Sequence, residues 1–264
     1  MTKYDHYKTI AFNLKDRILT VILNRPEKLN VFTEEMEQEL TQFLVDGAFD
    51  KEFDIVVLTG AGRAFSAGGD VEGWMRSNVE DPSRVNTGLS KRVVFAMLDF
   101  PKPVIAKLNG HAVGLGATVA LYCDVIFASD KAKIGDPHVT MGLSAGDGGA
   151  IIWPQLIGYA RAREYLMTGE LISAPRAVEI GLVNYSLPLE ELDAAVDAFV
   201  QKLAKGAMRA ICATKQTVNL GLKHLASAVM DASIAYEALT VYSRDHSEAV
   251  HAFIEKRKPT FTGR

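Results

Sequence analysis

Residues 103–149 read PVIAKLNGHAVGLGATVALYCDVIFASDKAKIGDPHVTMGLSAGDGG. The apolar run Val104–Leu108, bounded by Pro103 and Asn109-Gly110, has the pattern of a buried strand. Gly110, Gly114 and Gly116 follow at close spacing, and residues 117–122 have helix-forming character. Strand, glycine-rich turn and helix start therefore come in succession. The unbonded N–H groups of a helix's first turn, at the positive end of its dipole, suit a developing oxyanion. A second apolar run, 125–128, reads as another strand, and the loop beyond it carries Asp136, His138 and Asp147, all able to handle protons. The combination points to an enzyme, although glycines after a strand more often serve a tight turn or close packing.

Outward from this stretch, 8–14 and 17–23 form a hairpin-like pair. Thr33 is placed to cap a helix running to about Ala48, with Met36, Leu40, Phe43 and Leu44 on one face. Residues 54–59 form a strand apolar enough to be covered on both sides. GAGRAFSAGGD at 60–70 follows, and its Gly68-Gly69 doublet allows the positive φ that a loop needs to turn N–H groups inward. Residues 72–88 are polar and read as a flap, and 89–98 resume a helical pattern. Helices are expected at 159–168, 174–181, 190–205, 207–222 and 226–255. The reading is α/β, with a core over 1–200 and a helical C-terminal region over 201–264.

With 264 residues, 48% of them hydrophobic, the chain can bury a large core. A net charge of −3 supplies no basic field for nucleic acid. Two cysteines argue against a disulfide framework or a zinc site. The N-terminus lacks the apolar core of a signal peptide, and 112–123 is too short to span a bilayer, so a soluble, cytoplasmic protein without membrane partners is expected.

GAGRAFSAGGD at 60–70 together with PKPVIAKLNGHAVGLGATVALYCDVIFAS at 101–129 resembles the crotonase superfamily, the enoyl-CoA hydratase/isomerase group. LNRPEKLN at 23–30 and FIEKRKPTFTGR at 253–264 extend the resemblance nearly end to end. It implies a crotonase-like ββα spiral core, a C-terminal helical region used for trimerisation, trimers that often pair into hexamers, and acyl-CoA substrates, with no cofactor or metal beyond the coenzyme A that is part of the substrate. It implies that the oxyanion-hole N–H groups belong to Gly69 and Leu115. Leucine stands here where glycine is usual; a backbone donor tolerates it. The same resemblance puts Ala67 beside the adenine of CoA, and assigns Arg25, Lys28, Gly68, Asp70, Gly114 and Thr118 to substrate or CoA binding. Phe253 and Lys256 would reach CoA from the last helix, sometimes from a neighbouring subunit.

The chain departs from a hydratase where such an enzyme carries two glutamates. Thr118 and His138 stand at those positions, which puts the two-glutamate hydration route in doubt. An imidazole is a ready base near neutral pH. Asp147, nine residues on, is read as its orienting partner, with Asp136 as the lesser alternative. This His–Asp spacing resembles the superfamily's β-diketone hydrolases, which cleave a C–C bond by a retro-Claisen step and use a glutamate in the C-terminal region, where Glu237 stands here. Three functions follow: an acyl-CoA enzyme working through a thioester enolate, a CoA-independent C–C hydrolase, and a non-catalytic acyl-CoA binder.

Overall fold

The structure, a computed structural model, describes residues 3–4, 6–81 and 88–264. Strands β1 (Ile10–Lys15) and β2 (Ile18–Leu23) pair antiparallel in the register Lys15↔Ile18. Asp16 and Arg17 both take positive φ, 49° and 63°, which matches the twist a two-residue hairpin turn requires. Helix α1 (Glu34–Gly47) begins where the Thr33 hydroxyl accepts a hydrogen bond from Met36 N–H at 3.3 Å, and acids fill its first turn. Strand β3 (Ile55–Gly60) is buried along its whole length. A wide helical turn (Val71–Met75), capped by Asp70, leads into α2 (Arg76–Glu80). The flap expected over 72–88 falls partly on 82–87, which lie outside the described residues.

The chain then builds α3 (Gly88–Asp99), β4 (Val104–Leu108), β5 (Ala112–Val113), α4 (Leu115–Leu121), β6 (Val125–Ser129) and β7 (Lys133–Gly135). After α5 (Gly149–Thr168) come β8 (Ile172–Ser173), α6 (Ala174–Glu179), β9 (Tyr185–Leu187) and three helices: α7 (Leu189–Ala204), α8 (Met208–Val241) and α9 (Arg244–Ile254). The main sheet has the order β1-β2-β3-β4-β6-β9, parallel from β2 onward, and a small sheet has the order β5-β7-β8.

Alternation along β3 explains its burial. Val56 and Leu58 face the main core with Met36, Leu40, Val93 and Met97 of α1 and α3. Ile55 and Val57 face Leu192, Val196 and Val200 of α7. A parallel strand covered on both faces reads as a continuous apolar run, as expected.

Two helical expectations are corrected. The pair 207–222 and 226–255 is divided differently, into α8 and α9. Gly221 sits inside α8 with open space around it; an exposed helical glycine costs only about 1 kcal/mol. The true break is Ser243, whose hydroxyl accepts from His246 N–H at 3.0 Å and caps α9. Helix α5 begins at Gly149, earlier than expected, and Gly158 (φ 77°) divides it where the 159–168 segment starts. No helix among the described residues is long and apolar enough to cross a membrane.

Candidate active site

The carboxyl ends of parallel strands β3 and β4 lead into the two glycine-containing blocks, the end of an α/β sheet where ligands gather. Both blocks are stitched together by backbone. Ser66 N–H donates to His111 C=O at 3.1 Å and Val113 N–H to Ser66 C=O at 3.0 Å. On the other side of the first block, Phe32 N–H donates to Gly68 C=O at 2.7 Å and Asp70 N–H to Phe32 C=O at 3.1 Å. Buried Asn30 ties the 23–30 segment in, its amide donating to Ala61 C=O at 2.8 Å and Ala64 C=O at 2.9 Å. Ser66 donates its buried hydroxyl to Asn30 C=O at 2.8 Å, which leaves it no role as a nucleophile.

Between these paired residues, Gly69 and Leu115 are left over. Their N–H groups find no acceptor among the described residues. Leu115 is the first residue of α4, so its N–H is one of the donors a helix start leaves open. Gly68 has φ 93°, and a Cβ there would come 3.0 Å from Val113 C=O, so this close crossing of the two blocks needs glycine. Gly69 and Leu115 both line a cavity of about 100 Å³, with Ala67, Gly68, Gly114, His138, Asp147 and Glu237 also in its wall.

His138 lines the same cavity, at the start of a short helical turn (His138–Met141) after β7. Its ring meets two aspartates and a glutamate. Nδ1 hydrogen-bonds the buried Asp136 carboxylate, while Nε2 lies 3.4 Å from Asp147 Oδ2 and 4.0 Å from Glu237 Oε1. Asp136, the lesser alternative in the sequence, is therefore the direct partner on Nδ1, and Asp147 faces Nε2. Gly149 makes room for this, because a Cβ there would fall 2.0 Å from Asp136 Oδ2. Thr118 does not line the cavity; its buried hydroxyl donates to Asp147 Oδ1 at 3.0 Å and positions that carboxylate.

Charge follows from the geometry. Burial alone would lower the His138 pKa, but Asp136 and Asp147, the Asp136 hydrogen bond and Glu237 together hold it well above the ordinary value. These partners favour the protonated form of the ring. Burial raises Asp147; His138 opposes the shift, Asp136 adds to it, and hydrogen bonds from Thr118 and Gly149 offset part of it. Burial raises Glu237 to about 8 against the opposing pull of His138, with Asp147 and Asp136 adding to the rise. Asp136, His138 and Asp147 also place one donor atom each within 4.8 Å of one another, a spacing a metal ion could bridge. With Nδ1 bonded to Asp136, Nε2 is the ring nitrogen that faces Asp147 and Glu237.

The remaining sequence-derived residues lie off the cavity wall. Arg25 donates to Val31 C=O at 3.1 Å and stands 3.8 Å from Asp70, which caps the turn after the first block. Lys28 pairs with Glu72 at 2.6 Å on the surface. Phe253 and Lys256 are exposed at the end of α9, Phe253 in a separate surface groove with Val139 and Met167. Conversely, Glu37 of α1 lines the cavity and escaped the sequence reading. It interrupts the stripe Met36, Leu40, Phe43, Leu44, and a charged residue on a buried helical face was the signal that could have found it.

Residues 13–264 match a sequence profile described as enoyl-CoA hydratase/isomerase. The chain is 33% identical over 262 residues to the 1,2-epoxyphenylacetyl-CoA isomerase of Escherichia coli, covering 97% of this chain and 98% of that protein. It is 32% identical over 255 residues to the short-chain-enoyl-CoA hydratase of Clostridium acetobutylicum, covering 94% and 95%. Among solved structures it is similar to an enoyl-CoA hydratase/isomerase from Mycobacterium paratuberculosis, with a TM-score of 0.86, 32% identity, and 94% and 99% of the two chains covered.

Proposed function

The chain belongs to the enoyl-CoA hydratase/isomerase family, with the crotonase fold, and on that premise we propose that it processes acyl-CoA thioesters through an enolate. The observation that carries the reading is the pair of N–H groups without an acceptor among the described residues, Gly69 and Leu115, on residues that line one cavity with His138. The thioester oxygen accepts both N–H groups. Negative charge that develops there meets donors already in position, each worth roughly 2.7–4 kcal/mol in comparable sites. The acyl carbon next to the carbonyl becomes acidic enough to lose a proton.

His138 and Asp147 then divide the proton transfer. Asp147 is the acceptor, a stronger base than an ordinary carboxylate because burial raises its pKa. The imidazolium of His138 donates a proton from Nε2 to a second carbon, and Asp136 stabilises the ring on Nδ1. Loss at one carbon and gain at another is an isomerisation. Thr118 at one of the two glutamate positions weighs against the usual hydration route.

A second reading draws on the approach of Glu237 to the same ring: His138, Asp147 and Glu237 could instead activate water against a β-diketone. A panel of 2-enoyl- and 3-enoyl-CoA thioesters beside cyclic β-diketones separates the two. Conversion of a thioester is expected; cleavage of β-diketones with every thioester untouched would move the assignment to C–C hydrolysis.

The proposal includes a trimer, paired or unpaired, which Val218, Leu220, Tyr236 and Leu239 exposed on α8 support as apolar surface for a neighbour. Arg25, Lys28 and Asp70 are proposed on the CoA side, with Phe253 and Lys256 reaching CoA from a neighbouring subunit.

A further inference from the structure

Glu37 has no part in the reaction above, yet it lines the same cavity with 6% of its surface exposed. Its carboxyl has no hydrogen-bond or ion-pair partner among the described residues. The neighbours on its helical face are Met36, Leu40, Phe43 and Leu44, all buried in the core. A carboxyl held this way costs stability unless something that enters the cavity completes it. Burial, Asp147, Glu237 and Glu34 together raise it to about 8, so at neutral pH it is an acid with a hydroxyl to donate. Of the cavity's other titratable groups, His138 is bonded to Asp136, Asp147 accepts from Thr118, Glu237 approaches His138 and Glu34 is exposed.

We infer that Glu37 is a specificity-determining residue, and that the acyl group this cavity selects carries a hydrogen-bond-accepting oxygen beyond the thioester carbonyl. The inference rests on the acyl-CoA reading above and deepens it. A plain alkyl chain would seal Glu37 away from water with its donor unmet. A hydroxyl or carbonyl on the chain satisfies it, and sites built to pair with a substrate oxygen reject the analogue that lacks it far more strongly than apolar pockets reject a methylene. Glu237, with Oε2 also unpartnered, is a second acid on the same wall, but its approach to His138 already ties it to the proton-handling set.

The test measures dissociation constants of butanoyl-CoA and of its 3-hydroxy and 4-hydroxy derivatives for the native protein and for Glu37→Gln and Glu37→Leu. In the native protein at least one hydroxylated thioester is expected to bind roughly tenfold tighter than butanoyl-CoA. Glu37→Gln, which keeps an N–H donor, should retain most of that preference, and Glu37→Leu should abolish or reverse it; Glu37→Met serves if the leucine variant does not fold. Equal binding of all three thioesters by the native protein, or an unchanged preference in the apolar variant, would overturn the inference while leaving the acyl-CoA assignment standing. Failure of the native protein to bind any of them would overturn both.

Discussion

Replacing His138 by alanine is expected to lower turnover of acyl-CoA substrate by about 10²–10⁴-fold, the range lost with a general acid–base group. Thioester binding should change only a few-fold. The asymmetry follows from the proposed roles: the carbonyl would be held by the Gly69 and Leu115 backbone, which the substitution does not touch, while Nε2 would give the proton. The variant also leaves Asp136 and Asp147 without their cationic partner, so their charges repel across a buried space. Part of any lost activity could come from that repulsion. His138→Gln separates the two effects, since it restores a donor without a transferable proton; it should recover stability and leave turnover low. Steady-state kinetics with urea unfolding of both variants check this, and native-like turnover by either variant would remove His138 from the chemistry.

Stability should fall as pH rises from about 5 to about 8.5. Glu37 and Glu237 have folded pKa values of about 8 against an ordinary 4.5, so across that window the unfolded chain releases protons that the native state keeps. His138 acts in the same direction. Raised in the folded state, it contributes stability that is complete below its unfolded value and disappears as pH climbs through its folded one. One buried carboxyl shifted this far is worth on the order of 4 kcal/mol. Glu37 and Glu237 are not independent, because charge on Glu237 helps to raise Glu37, so the total loss is expected to exceed that of one carboxyl and stay below twice it, about 4–8 kcal/mol. On the acid side, surface carboxylates held low by their partners, such as Glu248 beside Arg257 at about 2, turn the curve over. Glu37→Gln should flatten the fall. Urea midpoints across this range test it; stability that rose with pH through neutrality would contradict the buried-acid account.

The fold was legible because its signals are local and periodic. Thr33 before an apolar 3.6-residue stripe, and the continuous apolar run before Gly60, each name their element without help from the rest of the chain. The small sheet was not legible: β5 and β8 are two residues each, and β7 is three, too short to show a period. In the site, His138 and Asp147 were visible as chemically active residues in one loop, and their approach fits the spacing. The nearness of Asp136 to Nδ1 was harder to see, because residues two apart meet only when the loop turns tightly, as it does at Pro137. Glu37 and Glu237 lie 200 residues apart in sequence. Only the packing of α1 and α8 around one cavity brings them to the same wall, which no spacing argument reaches.

Gly69 and Leu115 N–H groups are proposed to stabilise an enolate formed from a bound thioester. Ultraviolet difference spectroscopy of acetoacetyl-CoA, an enolisable mimic, tests it most directly. Binding at micromolar concentration, with the absorbance of the keto form replaced by that of the enolate, is the predicted result, and it should persist in Glu37→Gln. Acetoacetyl-CoA that binds only as the keto form, or does not bind at all, would contradict the account.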